Sequence, residues 1–300
     1  MILVTGTSGF IGKRLLKEVI SVYGQQNVVA LTSAPMPNGQ FIEHQNYSFE
    51  KDIFIKNGFE HIELVIHAGA FTPKNSLEAS NIELCNSNII NTSHLYSSYF
   101  PNLKKILFLS TLDVYDNNDI ISEDSSIFPQ SLYGCSKLYG EILTSSVAKE
   151  LEIDHQILRI GHVYGPGEEK YNKIIPITFK KILKNEPLQV WGTGKEIRSF
   201  IYIEDVIKSI LNAINLEVNI GPINIVSENQ ITINSLIEAM IEITGKNSKI
   251  EYISIDQNGR DFKFNPEKMK KHLLENETDF YTGLNNEWNH MKNLSDADLF

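Results

Sequence analysis

Thr5-Gly6-Thr7-Ser8-Gly9-Phe10-Ile11-Gly12 follows the apolar run Ile2-Leu3-Val4 and opens an amphipathic segment with apolar Ile11, Leu15, Leu16, Val19 and Ile20. A strand, a glycine turn and a helix in that order allow a backbone to approach a pyrophosphate. Glycines remove the Cβ atoms that would hold it away, and the helix start offers amide groups without intrahelical partners. Contacts to such a phosphate are expected from Gly6, Ser8, Gly9, Phe10, Ile11 and Gly12. The spacing is Gly6-x-x-Gly9-x-x-Gly12, not the more common Gly-x-Gly-x-x-Gly. A tight turn with packing glycines is the plain alternative.

Outward from this turn, Val28-Val29-Ala30-Leu31, Leu64-Val65-Ile66-His67, Ile106-Leu107-Phe108-Leu109 and residues 156–160 form short apolar runs. Helical patterns over 80–100 and 132–149 alternate with them. Near-continuous apolar strands between helices predict an α/β, Rossmann-type doubly wound parallel sheet covered on both faces. After Gly165-Pro166-Gly167 the rhythm loosens. A dinucleotide-binding domain is expected over 1–167, with 196–227 returning to it. A smaller C-terminal substrate-binding lobe is expected from 168–195 and 228–300. Residues from about Asn285 onward read as a polar tail.

The 300 residues are 42% hydrophobic and 21% charged, as in ordinary globular proteins. A formal net charge of -10 argues against nucleic acid or an anionic membrane as the main partner. The two cysteines, Cys85 and Cys135, give neither a disulfide framework nor a zinc spacing, and the eight histidines include no metalloprotease motif, so no metal is expected. The start lacks a basic leader, and no apolar run is long enough to span a bilayer. The expectation is a soluble, cytoplasmic protein.

Tyr133 and Lys137 stand four places apart in Tyr133-Gly134-Cys135-Ser136-Lys137. A phenol of pKa near 10 is a poor base at neutral pH, and an ammonium one helical turn away favours the phenolate, as does a positively charged nicotinamide ring. Such a pair can move a proton to or from a sugar-type hydroxyl while hydride moves at the same carbon. It also arises by chance on amphipathic helices. Ser110-Thr111-Leu112-Asp113 follows the strand 106–109 and so lies at its C-terminal edge, where ligands bind in such sheets. The Thr111 hydroxyl there can share the substrate proton, or simply close a strand-terminal turn.

The chain resembles the extended short-chain dehydrogenase/reductase family, in its nucleotide-sugar epimerase/dehydratase group. The resemblance rests on the glycine turn, His67-Ala68-Gly69-Ala70, Asn88 with Thr92, residues 110–115, Tyr133 with Lys137, residues 159–167, and Arg198-Ser199-Phe200-Ile201-Tyr202-Ile203-Glu204-Asp205-Val206. These segments occur in the family's order over about the first 206 residues. The resemblance implies that Thr111, Tyr133 and Lys137 are catalytic and that Asn88 supports the helix beneath them. Ala68, Gly69, Ala70 and Ser110 would pass beside the cofactor. Arg198 would clamp a sugar nucleotide's diphosphate, with His162 and Asp113 as further substrate contacts. Trp191 would pack either on the nucleotide base or in the core.

The implied cofactor is NAD, with NADP left open. The second strand ends in Leu31-Thr32-Ser33, which carries neither the carboxylate that meets a ribose 2′-hydroxyl nor the arginine that meets a 2′-phosphate. Thr32 is nevertheless expected near the adenosine end, and Asp52 either approaches it or is an ordinary surface residue. Related dehydratases carry adjacent Asp and Glu after the catalytic Thr. Here the pair is Leu112-Asp113, which argues against 4,6-dehydration. In Gln257-Asn258-Gly259-Arg260-Asp261, Arg260 is either a displaced second diphosphate ligand or a surface residue.

The expected activity is epimerisation of a nucleoside-diphosphate sugar at C4 through a transient 4-keto sugar. A 4-keto-sugar reductase is the alternative, and a cofactor-binding regulatory protein is disfavoured by the complete reacting set. A homodimer through the helices over 80–100 and 132–149 is the family's expectation, although Cys85, Leu95 and Tyr99 would serve equally as core.

Overall fold

The computed structural model describes residues 1–36, 38–117, 119–255 and 261–294, so Arg260 lies outside the described residues. Chain order begins β1 (Ile2–Thr5), α1 (Phe10–Tyr23), β2 (Val28–Thr32), β3 (Gln40–Glu43), α2 (Ile53–Lys56), β4 (Leu64–His67), α3 (Ser76–Ala79) and α4 (Ile82–Tyr96). It continues with β5 (Lys105–Thr111), α5 (Leu132–Glu150), β6 (Asp154–Ile160), β7 (His162–Tyr164), α6 (Ile174–Lys184), β8 (Leu188–Trp191) and β9 (Ile197–Tyr202). The remainder is α7 (Ile203–Ile214), β10 (Ile223–Ile225), β11 (Gln230–Thr232), α8 (Ile233–Thr244), β12 (Ile250–Ile253), α9 (Glu267–His272) and α10 (Phe280–Met291).

Two compact units emerge. The first holds Met1–Asp116, Ser126–Ile160 and Ile207–Asn224. Its sheet has the order β10-β6-β5-β4-β1-β2-β3, and the pairs from β3 through β6 are parallel. β1, β2 and β4 are buried along their whole length, which is why they read as unbroken apolar runs. α1 buries Leu15, Leu16 and Val19 along one face. Leu3, Val29, Val65, Phe54 and Leu95 meet in one core cluster. Asn81 and Ser131 cap α4 and α5 by accepting from the Leu84 and Gly134 amides. The order reverses between β1 and β4, which makes their C-terminal ends the switch point of a doubly wound sheet.

The second unit holds Asn117–Ser125, Gly161–Val206 and the chain from Ile225 onward. Its strands form two small sheets, β11-β9-β7 and β12-β8. The stretch 196–227, expected to rejoin the main sheet, divides. β9 pairs with β7 and β11, and β10 joins the main sheet beside β6. The polar tail expected from about Asn285 is instead the second half of α10. Phe280, Leu284, Trp288 and Met291 recur at helical spacing and are buried. The Trp288 ring stacks 5.5 Å from that of Phe179. Intervening asparagines masked this period.

Candidate active site

The Gly6 turn leaves β1 with φ +70, a conformation natural to glycine. A Cβ on Gly6 would come within 2.6 Å of Gly69 Cα and 2.7 Å of the Ala68 carbonyl carbon, and one on Gly12 would strike the Gly6 carbonyl. The turn is therefore packed against the segment that leaves β4. That segment is pinned: the Gly69 amide donates to Thr5 Oγ1 at 2.9 Å, and Thr5 Oγ1 meets His67 Nδ1 at 2.8 Å. His67 Nε2 lies 3.0 Å from Thr92 Oγ1. Burial, with the charge of Lys137 adding to it, pushes the His67 pKa down to about 3, so the ring is a neutral fastener.

No side chain caps α1, and its first turn holds no acid. The helix start therefore suits an anionic phosphate. Ser8 Oγ lies 3.2 Å from Ser33 Oγ on the exposed side. Thr32 is buried and donates to its own turn at Ala34 O, 2.9 Å away. Asp52 is exposed and paired with Lys56 at 3.2 Å, a surface ion pair.

β5 delivers Thr111, and the first turn of α5 delivers Tyr133. Thr72 and Thr111 are the polar neighbours of the Tyr133 phenol that act to lower its pKa. Thr72 was not anticipated. It belongs to a loop that Asn88 grips on both sides of Phe71, accepting from its amide at 2.7 Å and donating to its carbonyl at 3.1 Å. Asn88 also donates to Ser136 Oγ at 3.2 Å, and Ser136 donates to the Tyr133 carbonyl at 2.7 Å. Asn88 thus joins the Thr72 loop to the first turn of α5.

Tyr133 and Lys137 are both buried. Burial, then the Asp113 carboxylate, pushes the Tyr133 phenol well above its ordinary value, while the neighbouring Thr72 and Thr111 hydroxyls pull it down. Burial likewise lowers Lys137 to about 8, opposed by Glu141. The Lys137 ammonium sits 4.4 Å from the Phe108 ring centroid. Burial and the Asp113 carboxylate thus outweigh the influences that lower this phenol.

Ser110, expected beside a cofactor, turns its hydroxyl toward α5 and donates to Glu141 Oε1 at 2.5 Å. Arg159 grips the same carboxylate with Nε at 2.9 Å and Nη2 at 2.7 Å. Its Nη1 donates to the Tyr115 hydroxyl at 2.7 Å, which donates to Asn224 Oδ1 at 2.8 Å. Sequence reading missed this buried network. A Glu eight places after Tyr133 and an Arg inside an apolar strand were its only signals.

In the second unit, Arg198 lies on β9 with its guanidinium 5.0 Å from the Phe262 ring centroid, and Nη1 donates to the Ile197 carbonyl at 2.9 Å. The His162 ring meets Phe262 edge-on at 5.2 Å. His162, Arg198 and Phe262 thus form one cluster. Trp191 ends β8 and is 62% exposed, which excludes the core alternative. Asp113 is exposed on the single helical turn that follows Thr111 in the first unit.

Among characterised proteins, a dTDP-4-dehydro-6-deoxyglucose reductase of Escherichia coli is 30% identical over 80% of this chain and 80% of its own length. A dTDP-D-glucose 4,6-dehydratase of Dictyostelium discoideum is 29% identical over 69% of this chain, and the chain spans only 54% of that relative. A crystal structure of UDP-glucuronic acid 4-epimerase from Bacillus cereus, in complex with UDP-glucuronic acid and NAD, superposes with a TM-score of 0.82 at 26% identity. It covers 97% of this chain and 98% of that one. Residues 2–226 match the pattern of one enzyme family, and with it the glycine turn, Thr111, Tyr133 and Lys137 find their common context: the chain belongs to the NAD dependent epimerase/dehydratase family.

Proposed function

We propose that this protein is an NAD-dependent epimerase of a nucleoside-diphosphate sugar, acting at C4 through a transient 4-keto sugar. The observation that carries the reading is the buried Tyr133 phenol, with Thr111 and Thr72 beside it and Lys137 one helical turn away. The likeness to a UDP-glucuronic acid 4-epimerase supports it. The switch point fits the cofactor: glycines stand where a Cβ would block the turn, and α1 begins uncapped.

NAD, when bound, accepts hydride from the sugar carbon and returns it. Tyr133 takes the proton of the C4 hydroxyl and later gives it back. Thr111 holds the same oxygen by hydrogen bonding, and Thr72 shares the Tyr133 hydroxyl. Lys137 contributes its charge beside the phenol and holds the cofactor's ribose. Asn88 fixes the geometry from beneath. Within the second unit, Arg198 in its cluster with His162 has the chemistry to bind a diphosphate, and the exposed Trp191 offers a stacking face to a base. Asp113 contacts the sugar.

The test uses purified protein, candidate UDP-, dTDP- and GDP-hexoses, no added cofactor, and NMR of the sugar. Conversion of one sugar into its C4 epimer is the expected result. A second reading, a 4-keto-sugar reductase, draws on the 30% identity to the Escherichia coli reductase. An absolute need for stoichiometric reduced nicotinamide would establish that reading and overturn the first.

A cytoplasmic homodimer completes the proposal. α4 and α5 expose Ile82, Ile90, Tyr139 and Ile142, with Ile90 64% and Ile142 59% exposed, while Cys85 and Leu95 are core. Apolar surface of this kind on two adjacent helices suits a second copy. Sedimentation of a monomer at micromolar concentration would overturn that part.

A further inference from the structure

Lys137 and Glu141 occupy successive turns of α5, on the same face as Tyr133. Glu141 makes no direct ion pair with the lysine: its two oxygens are taken by the Arg159 fork and the Ser110 hydroxyl. Both partners of the Glu141–Arg159 pair are buried. Arg159 is fixed in turn by the Tyr115 hydroxyl and by stacking over its ring, 4.7 Å from the centroid. Three donors converge on the Glu141 carboxyl group, and in a dry interior the field of a charge reaches a neighbouring turn.

We propose that Glu141 is a positioning residue for the Tyr133–Lys137 pair, anchored by Arg159 and Ser110 so that its charge holds the buried Lys137 as an ammonium. The inference rests on the catalytic reading of Tyr133 and Lys137 given above. The groups facing Lys137 single Glu141 out. His67 on β4 is neutral and adds no anion, Phe108 on β5 offers only a ring face, and Tyr133 on α5 keeps its proton. Arg159 on β6 is a cation lying beyond Glu141 and bound to it. The opposing effects on Lys137 are burial, which lowers its pKa to about 8, and Glu141, which raises it. Without Glu141, the ammonium is lost at a lower pH.

The test is a side-chain NMR titration of lysine-labelled protein, with the Lys137 signal assigned from Lys137→Arg. In Glu141→Gln the Lys137 midpoint is expected to fall by about one pH unit, leaving roughly tenfold less ammonium relative to free amine near pH 8. The alkaline limb of kcat should move to lower pH with KM little changed, and Glu141→Asp should restore much of both. If Glu141→Gln does not fold, Glu141→Asp serves instead: its carboxylate is drawn back by one methylene from the Arg159 fork and the Ser110 hydroxyl, and a Lys137 midpoint identical to wild type in that folded variant overturns the proposal. An unchanged Lys137 midpoint in folded protein overturns the proposal and leaves the epimerase reading intact. A shifted midpoint in a protein that turns over no sugar nucleotide upholds the proposal's electrostatics and overturns the function instead.

Discussion

Asn88 holds Phe71 by both of its backbone groups, accepting from the amide at 2.7 Å and donating to the carbonyl at 3.1 Å. A side-chain amide is suited to this because it offers a donor and an acceptor a short distance apart. The grip sets the Thr72 loop, and through Ser136 it reaches the turn that carries Tyr133. Asn88→Asp keeps the acceptor and loses the donor, leaving the Phe71 carbonyl and Ser136 short of a bond. The expected loss is about 1–3 kcal/mol of positioning, or roughly ten- to hundredfold in kcat. Steady-state kinetics with the turned-over sugar checks it, and wild-type kcat would show that the clamp is dispensable.

Tyr133→Phe removes the phenol oxygen that has Thr111 and Thr72 as polar neighbours. The buried ring stays apolar and packed, so stability should change little. Epimerisation is expected to fall by about 10²–10⁴-fold, the usual weight of a proton-transfer group. Cofactor retention, read from the absorbance of the denatured supernatant, should persist.

Gly69 faces the buried Tyr47 hydroxyl, which a Cβ would overlap, and a Cβ there would also sit 3.0 Å from Thr5 Oγ1. Gly69→Ala is expected to destabilise the first unit by roughly 1–3 kcal/mol through overpacking. Tyr47→Phe in the same chain removes the overlapping atom and should recover part of that loss. Urea midpoints of the single and double variants measure the coupling. Strictly additive effects would show that the hydroxyl is not the obstacle.

Glu168 and Glu287 are both buried in the second unit, near enough to act on each other's charge, and neither Glu287 oxygen has a hydrogen-bond partner among the described residues. Lys173 Nζ lies 3.6 Å from Glu168, on its more exposed side. Burial pushes Glu168 up to about 7, and burial with the charge of Glu168 raises Glu287 further. Carboxyls raised above their unfolded value stabilise most below about pH 4.5, and that contribution is lost as pH rises through about 7. Urea midpoints should therefore fall between pH 5 and pH 8, and Glu287→Gln should flatten that dependence. An equally steep fall in the variant would assign it to other groups.

The glycine turn and the Tyr133–Lys137 spacing were legible because backbone approach and helical pitch fix residue type at fixed intervals. The order of the main sheet followed from apolar runs alternating with helices. Contacts between side chains far apart in sequence were not legible. Thr72 meets Tyr133 only because Asn88 folds its loop back, and Glu141 meets Arg159 only because α5 packs beside β6. Ser110 was placed beside a cofactor by the family resemblance, and nothing in the sequence showed that its side chain donates to Glu141. In α10, four apolar anchors among asparagines were too sparse to outweigh the polar composition around them. Trp191 could have been core or surface by sequence, and its exposure was decided by its place at the end of β8.

The outermost strand beside β6 comes from residues 223–225, long after the rest of that sheet has been laid down. A chain ending at residue 167 would leave the β6 ladder with bare amides and carbonyls along one side, an invitation to pair with neighbouring molecules. The Lys105 ammonium would also lose the carbonyls of Ile214 and Leu216 that it caps. The nucleotide-binding half is thus finished only by late-synthesised sequence, and it is expected to precipitate, not fold, when expressed as an N-terminal fragment.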